Sequence, residues 1–305
     1  MLSLLRAMPG SVAQGLLWGI MALGVYLTYK VLDFADLTVD GSICTGGAVA
    51  ALGILNGLNP WLVLIFSFVA GMAAGCITGL LHTALGIPPI LSGILTQLAL
   101  YSINMRIMGQ KSNLSISIEK YDLVVSIRNN GWAVLVGALF AAAVIGLLYW
   151  FFGTEIGCAT RATGCNAAMA RAQGINTNFI KVLGLALSNG LVGLAGGLYA
   201  QYQGNADVNM GRGAIVIGLA SVIIGEVLGE AIFGKYFNFA CRLATVVVGG
   251  IIYYIVIAFV LWLGIVDTND LKLFSAVTVA VFLALPYLRG KRREKAARKG
   301  AKADA

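Results

Sequence analysis

Runs of about twenty apolar residues recur along this chain with little polar sequence between them, and no other feature restricts its fold as far. A hydrocarbon core about 30 Å thick needs about 20 apolar residues per helical crossing. The runs fall near residues 11–29, 37–57, 60–82, 88–109, 132–152, 179–201, 213–234, 239–265 and 271–288, which makes about nine crossings. The expected fold is therefore all-α, a multi-pass membrane protein of about nine transmembrane helices. Only 11% of the residues are charged and 59% are hydrophobic, against roughly 25% charge in a soluble domain. No separate soluble domain fits in the remainder.

The net charge of +8 would suit a nucleic-acid partner if it were spread over the chain, but it is not. From Arg289 onward stand eight basic residues against Glu294 and Asp304, so the tail alone holds +6 of the +8. A basic cluster after an apolar segment acts as a cytosolic anchor on anionic headgroups. The chain is thus divided into a membrane domain, residues 1–288, and a basic cytosolic tail, residues 289–305. Nucleic acid is not expected as a partner. Arg6 precedes an apolar run without a small-residue cleavage site, so residues 12–28 are taken as a retained first span.

Five scattered cysteines cannot all pair within one chain, and a single histidine argues against a Cys/His zinc site. No metal and no catalytic residue is expected. Orientation follows from the basic loop residues. Lys30, Arg161, Arg171, Lys181, Lys235, Arg242 and the tail fall on one side of a nine-crossing chain. Lys111, Lys120, Arg128 and Arg212 fall on the other. This puts the amino terminus outside and the carboxyl terminus in the cytosol, with the long 110–131 loop as the least secure point.

Gly71, Gly75 and Gly79, and again Gly190, Gly193 and Gly197, recur at helical spacing. In lipid, where packing replaces the hydrophobic effect as the main attraction, small residues so spaced let helix backbones approach closely. Packing within one subunit is the plainer use; a dimer seam is the other.

One polar loop is too long for a mere connection: residues 154–176, TEIGCATRATGCNAAMARAQGIN. Asn166 suits a helix N-cap, the run 167–172 has high helix propensity, and Gly174 is a natural stop. A short helix with small side chains, bounded by Arg161 and Arg171, suits insertion into a groove on another protein. An interfacial helix without a partner is the bland alternative. The loop resembles the coupling loop of permeases of ATP-binding-cassette (ABC) importers of the branched-chain amino acid and ribose type. Thr154, Gly157, Arg161, Ala162, Gly164, Asn166, Ala170, Arg171, Gly174, Ile175 and Asn176 match, and Met169 stands where alanine is usual. The resemblance implies that Gly157, Arg161, Ala162, Asn166, Ala167, Ala170, Arg171 and Gly174 carry the contact with a separate ATPase subunit.

Two further stretches are similar to the same family: residues 19–51, where Asp36, Leu37, Thr38, Val39, Asp40 and Gly41 form a polar turn, and residues 185–204. Asp33, Asp36 and Asp40 lie close to hydrocarbon and must face protein, water or an interface. A solvated turn with Asp40 capping the next helix is the structural alternative. The D-L-T-V-D-G variant looks like a branch associated with amino acids, aromatic ones included.

Residues 229–235, GEAIFGK, fit the start of a phosphate-binding loop, but Tyr236 replaces the magnesium-holding Ser or Thr and no strand precedes it. His82 has no evident triad partner. Polar residues within spans are better pathway candidates. These are Thr96, with Gln97 and Asn104 on one face of the fourth run, and Glu226, which shares a face with Glu230. With Asp36, Thr38 and Asp40 they complete the candidate translocation pathway; helix-to-helix hydrogen bonding is the alternative.

By the resemblance, the chain is a permease subunit in the inner (cytoplasmic) membrane that passes a small solute, an amino acid in the first instance, into the cytosol. Its implied partners are a second permease copy, two cytosolic ABC ATPase subunits and an external substrate-binding protein. ATP and Mg belong to the ATPase, and no cofactor to this chain. Sugar or nucleoside cargo is the alternative within the class. An ion-coupled secondary transporter, using Asp33, Asp36, Glu226 or Glu230, is the alternative outside it.

Overall fold

The computed structural model describes residues 2–234 and 238–262, with isolated positions between 273 and 284. Ten α-helices follow in order: α1 (Leu2–Tyr26), extended by a π-helical turn (Leu27–Val31), α2 (Val39–Leu55), α3 (Pro60–Thr83), α4 (Pro89–Ile107) and α5 (Asn130–Gly153). Then come α6 (Glu155–Cys165), α7 (Ala167–Ala172), α8 (Thr177–Gln203), α9 (Ala214–Phe233) and α10 (Phe239–Trp262). Two three-residue strands, β1 (Asn113–Ser115) and β2 (Asn205–Asp207), pair antiparallel.

Among the described residues six helical segments are long and apolar enough to cross a bilayer: Met8–Val31, Pro60–Thr83, Asn130–Gly153, Thr177–Gln203, Ala214–Phe233 and Phe239–Trp262. α2 is apolar but only 17 residues long, and α4 spans 19 residues. The runs expected at 37–57 and 88–109 are therefore helices, the first one shortened. The run at 271–288, Lys235 and the basic tail lie outside the continuously described residues, although Val279 is buried against Ala220, Ile224 and Tyr253.

Helix ends are written locally. Asn59, Asn129, Thr154, Asn166 and Asn176 each accept a backbone N–H of the first turn of α3, α5, α6, α7 and α8. This side-chain cap satisfies donors that a helix start leaves open. Pro60 and Pro89 occupy first-turn positions, where a missing N–H costs nothing.

The α3–α8 pair forms the spine. A Cβ at Gly71 would strike the Asn189 carbonyl, one at Gly75 the Leu185 carbonyl, and one at Gly193 the Ser67 carbonyl. The glycine stripes thus bring two backbones together within one subunit. α2 lies against α8 as well, with Gly46 on the Gly193 carbonyl and Gly196 on that of Ile43. α1 packs along α10, and α9 along α10.

The loop charges among the described residues separate between the ends of the bundle. At one end Gly164 of α6 meets the Val31 carbonyl, and Lys181 Nζ lies 3.2 Å from His82 Nε2. At the other, Ile116 N–H donates to Gly204 O and Ile127 N–H to Tyr202 O, which ties the 110–131 loop beside the end of α8.

Candidate functional site

Two places gather the residues singled out above: the α6–α7 pair at one end of the bundle and a cavity toward the other.

The short helix expected over 167–172 forms, but the segment before it is helical too, since Thr154 caps α6. The pair is pinned to the bundle. Gly157 sits on the Phe151 carbonyl, where any side chain would collide. Arg161 donates to Phe152 O at 2.8 Å and its guanidinium lies over the Phe239 ring, 5.9 Å from the centroid. Arg171 donates to Thr177 Oγ1 at 3.2 Å, and Gly174 ends α7 with φ +83°. Several residues proposed as partner contacts therefore hold the loop itself together. Ala170 points inward, 4% exposed. The exposed residues of α7 are Ala168, Met169, Arg171 and Ala172, with Met169 at 64% exposure, and Ala162 is exposed on α6. Ile156 and Phe179 are exposed at the same end and line a shallow, largely apolar depression with Ala159 and Ile175.

Beneath α2 lies a buried polar chain. Asn189 donates to Asp36 Oδ2 at 2.7 Å, Thr38 N–H donates to Asp36 Oδ1 at 2.8 Å, and Ser42 donates to Asn189 Oδ1 at 2.6 Å. Thr38, Thr78 and Thr96 continue it hydroxyl to hydroxyl at 2.7 and 2.9 Å. Asp36 is 2% exposed, so the polar turn around it is not solvated; the carboxylate is held inside the protein by donors. Asn189, Ser42 and Thr78 escaped the sequence reading. The signal was available, since each is a polar side chain inside an apolar run.

Asp40 does not cap its own helix. Its carboxylate accepts Gly213 N–H at 3.1 Å and Ile215 N–H at 2.9 Å, and so caps α9. With Gly41, Cys44, Gln97, Leu98, Tyr101, Asn104, Val208, Asn209 and Arg212 it lines a cavity of about 310 Å³. Three predicted pathway residues, Asp40, Gln97 and Asn104, thus share one space. Thr38 and Thr96 belong to the buried chain beside it. Glu226 is elsewhere: it pairs with Lys30 at 3.0 Å, joining α9 to the π turn. Among the described residues no group of three or more His, Cys, Asp or Glu side chains is placed to hold a metal ion.

A sequence profile described as the permease component of the branched-chain amino acid transport system matches residues 8–286. A tyrosine transport system permease protein of Clostridioides difficile (strain R20291) is 42% identical over 272 residues, 89% of this chain and 88% of that protein. The fructose import permease protein FruF of Bifidobacterium longum (strain NCC 2705) is 28% identical over 256 residues, 82% of this chain and 69% of that protein. Among solved structures, PsaBC from Streptococcus pneumoniae in complex with Fab superposes with a TM-score of 0.51 at 16% identity. It covers 90% of this chain and 89% of that one, and the likeness concerns the fold alone.

Proposed function

Because this chain belongs to the family of branched-chain amino acid transport system permease components, we propose that it carries an amino acid, aromatic ones included, across the cell membrane as the permease subunit of an ATP-driven importer. It is not itself an enzyme; ATP and Mg are used by a separate ATPase subunit. The choice of amino acid over sugar follows the more similar relative, named for tyrosine at 42% identity, rather than the one named for fructose at 28%.

The observation that carries the coupling role is the form of the α6–α7 pair. Gly157, Arg161 and Gly164 fix it to the ends of α5, α10 and the π turn, while Met169 of α7 is left exposed, as are Ile156 and Phe179. A rigidly mounted pair that exposes small and apolar side chains between Arg161 and Arg171 transmits a push; a loose loop would absorb it. On this reading the α6–α7 end faces the cytosol and docks on the ATPase, and the β1–β2 end faces an external binding protein. A ninth crossing at 271–288, a cytosolic anchor at 289–305 and a two-fold pair of permeases complete the arrangement. Closure of the ATPase dimer then shifts the balance between outward and inward openings.

An ion-coupled mechanism needs carboxylates free to exchange their ions. Glu226 is paired with Lys30, and Asp36 is hydrogen-bonded by Asn189 and the Thr38 N–H. Reconstitution with the partner ATPase tests the choice. Met169→Arg is expected to abolish co-purification of the ATPase and ATP-driven uptake of L-tyrosine. Uptake by this chain alone, driven by an ion gradient, would refute the proposal.

A further inference from the structure

We infer that the cavity between α2, α4 and the α8–α9 connection is a binding site for the zwitterionic end of an α-amino acid: Arg212 takes the carboxylate, and Asp40 with the Asn104 amide oxygen takes the ammonium group. The inference rests on the importer reading and narrows it to a cargo chemistry and three side chains.

The first observation is a pair of opposite charges that share one space without neutralising each other. Asp40 and Arg212 both line the cavity, yet the ion pairs among the described residues are Lys30 with Glu226 and Arg128 with Glu119. Arg212 is exposed and its neighbour Gly213 donates to Asp40 instead. Asp40 spends one lone pair on each backbone N–H that it accepts, and each carboxylate oxygen keeps a further acceptor position. The hydroxyls of a neutral sugar can hydrogen-bond either group but bring no charge to match them. A zwitterion, with its own charges a bond or two from one carbon, bridges them.

The second observation is independent of charge. Asn104 is 1% exposed, it lines the same cavity, and its Oδ1 is buried without a hydrogen-bond partner. Buried polar atoms are nearly always satisfied, and an exception in a cavity wall calls for an explanation, of which a bound ligand is one and an ordered water another. An ammonium group donates three hydrogen bonds, enough for both Asp40 and Asn104.

The rest of the wall fits the remainder of such a ligand. Leu98, Tyr101 and Val208 offer apolar and aromatic surface. The cavity volume of about 310 Å³ stands at the small end of the range for small-molecule sites, about 300 to 1,000 Å³. Asn209 and Arg212 belong to the connection beside β2, so the site lies toward the β-ribbon end, the side from which an external binding protein would deliver its load.

The test is equilibrium binding of radiolabelled L-tyrosine to the full-length permease in lipid nanodiscs. Unlabelled L-tyrosine, tyramine (no carboxylate), 3-(4-hydroxyphenyl)propionate (no ammonium group) and D-ribose serve as competitors. L-Tyrosine should compete at least about tenfold better than either single-charge analogue, the worth of one charged hydrogen bond. Arg212→Gln should erase its advantage over tyramine. Asn104→Leu should weaken L-tyrosine binding about tenfold with no loss of thermal stability, since it removes an atom without a partner. Tyramine binding as tight as tyrosine, an Arg212→Gln protein with unchanged selectivity, or no saturable L-tyrosine binding by the wild type would overturn the site. The importer reading fails by a different result, ATP-independent uptake, and so stands or falls separately.

Discussion

Asp40, in the first turn of α2, accepts the backbone N–H of Ile215 at 2.9 Å, so the start of one helix is capped by a side chain 175 residues earlier. Every other capping side chain described above lies next to the helix it closes. The same carboxylate faces the cavity and is therefore both a structural clamp and part of its electrostatics. Asp40→Ala should lower stability by about 1 to 2 kcal/mol, the worth of an N-cap. Asp40→Asn, which keeps an acceptor oxygen, should lose less. Thermal unfolding of the purified variants checks the order.

Close helix approach gives a second expectation. A Cβ at Gly193 would lie 2.5 Å from the Ser67 carbonyl oxygen and 3.0 Å from Gly71 Cα, backbone atoms that cannot swing aside. Gly193→Ala should cost about 1 to 3 kcal/mol, as overpacking does. Gly146, in α5, has nothing within 4 Å of the same position. Gly146→Ala should be neutral or slightly stabilising, because alanine is the better helix former. Melting curves of both variants side by side separate crowding from any general intolerance of the fold.

Asn189 holds Asp36 at 2.7 Å in a site with almost no solvent. Asn189→Leu leaves a buried carboxylate short of a donor and Ser42 short of its acceptor, so a loss of about 2 to 3 kcal/mol is expected. Asp36→Asn should be milder, since an amide oxygen still receives the Thr38 N–H. The yield of monodisperse protein after solubilisation would rank them.

Glu226 was grouped by sequence with the pathway, yet it meets Lys30, whose side chain is 43% exposed. Exposed ion pairs contribute little, about 0 to 1 kcal/mol. Glu226→Gln should leave ATP-driven uptake within about twofold of wild type. A larger loss in that assay would put Glu226 back on the path.

Much of this was legible in the sequence because lipid leaves so few options. The apolar runs within the described residues, the glycine stripes and Asn166 ahead of its alanine-rich turn are local signals, and these became helices, a close helix pair and a capped α7. The long 110–131 loop is held beside the end of α8 by a strand pairing that its sequence does not announce. What stayed hidden depends on partners distant in the chain. Neither the capping of α9 by Asp40 nor the retention of Arg161 by Phe152 and Phe239 can be inferred from neighbours along the sequence. Ala170 illustrates the limit: helix propensity foretold its conformation but not which way its methyl group turns, and it turns inward. Arg212 could have been found, since an arginine just ahead of a glycine and an apolar run stands at a helix start, but it was counted only as a loop charge.

The glycine contacts between α3 and α8 leave those helices no room to slide, because carbonyls and Cα atoms, rather than pliable side chains, are what touch. Together with α2, seated on Gly193 and Gly196, they form a keel. α4 is attached differently: it rests on α2 and α3 alone among the principal helix contacts, meeting Leu37 at Gly93 while its Leu100 lies against Gly41. A tilt of α4 about those two bearings would carry Gln97 and Asn104 toward or away from Asp40 and leave the keel unbent. Among the described helices longer than fifteen residues α4 thus has the fewest helix neighbours, and the distance such a tilt would change is measured across a single cavity.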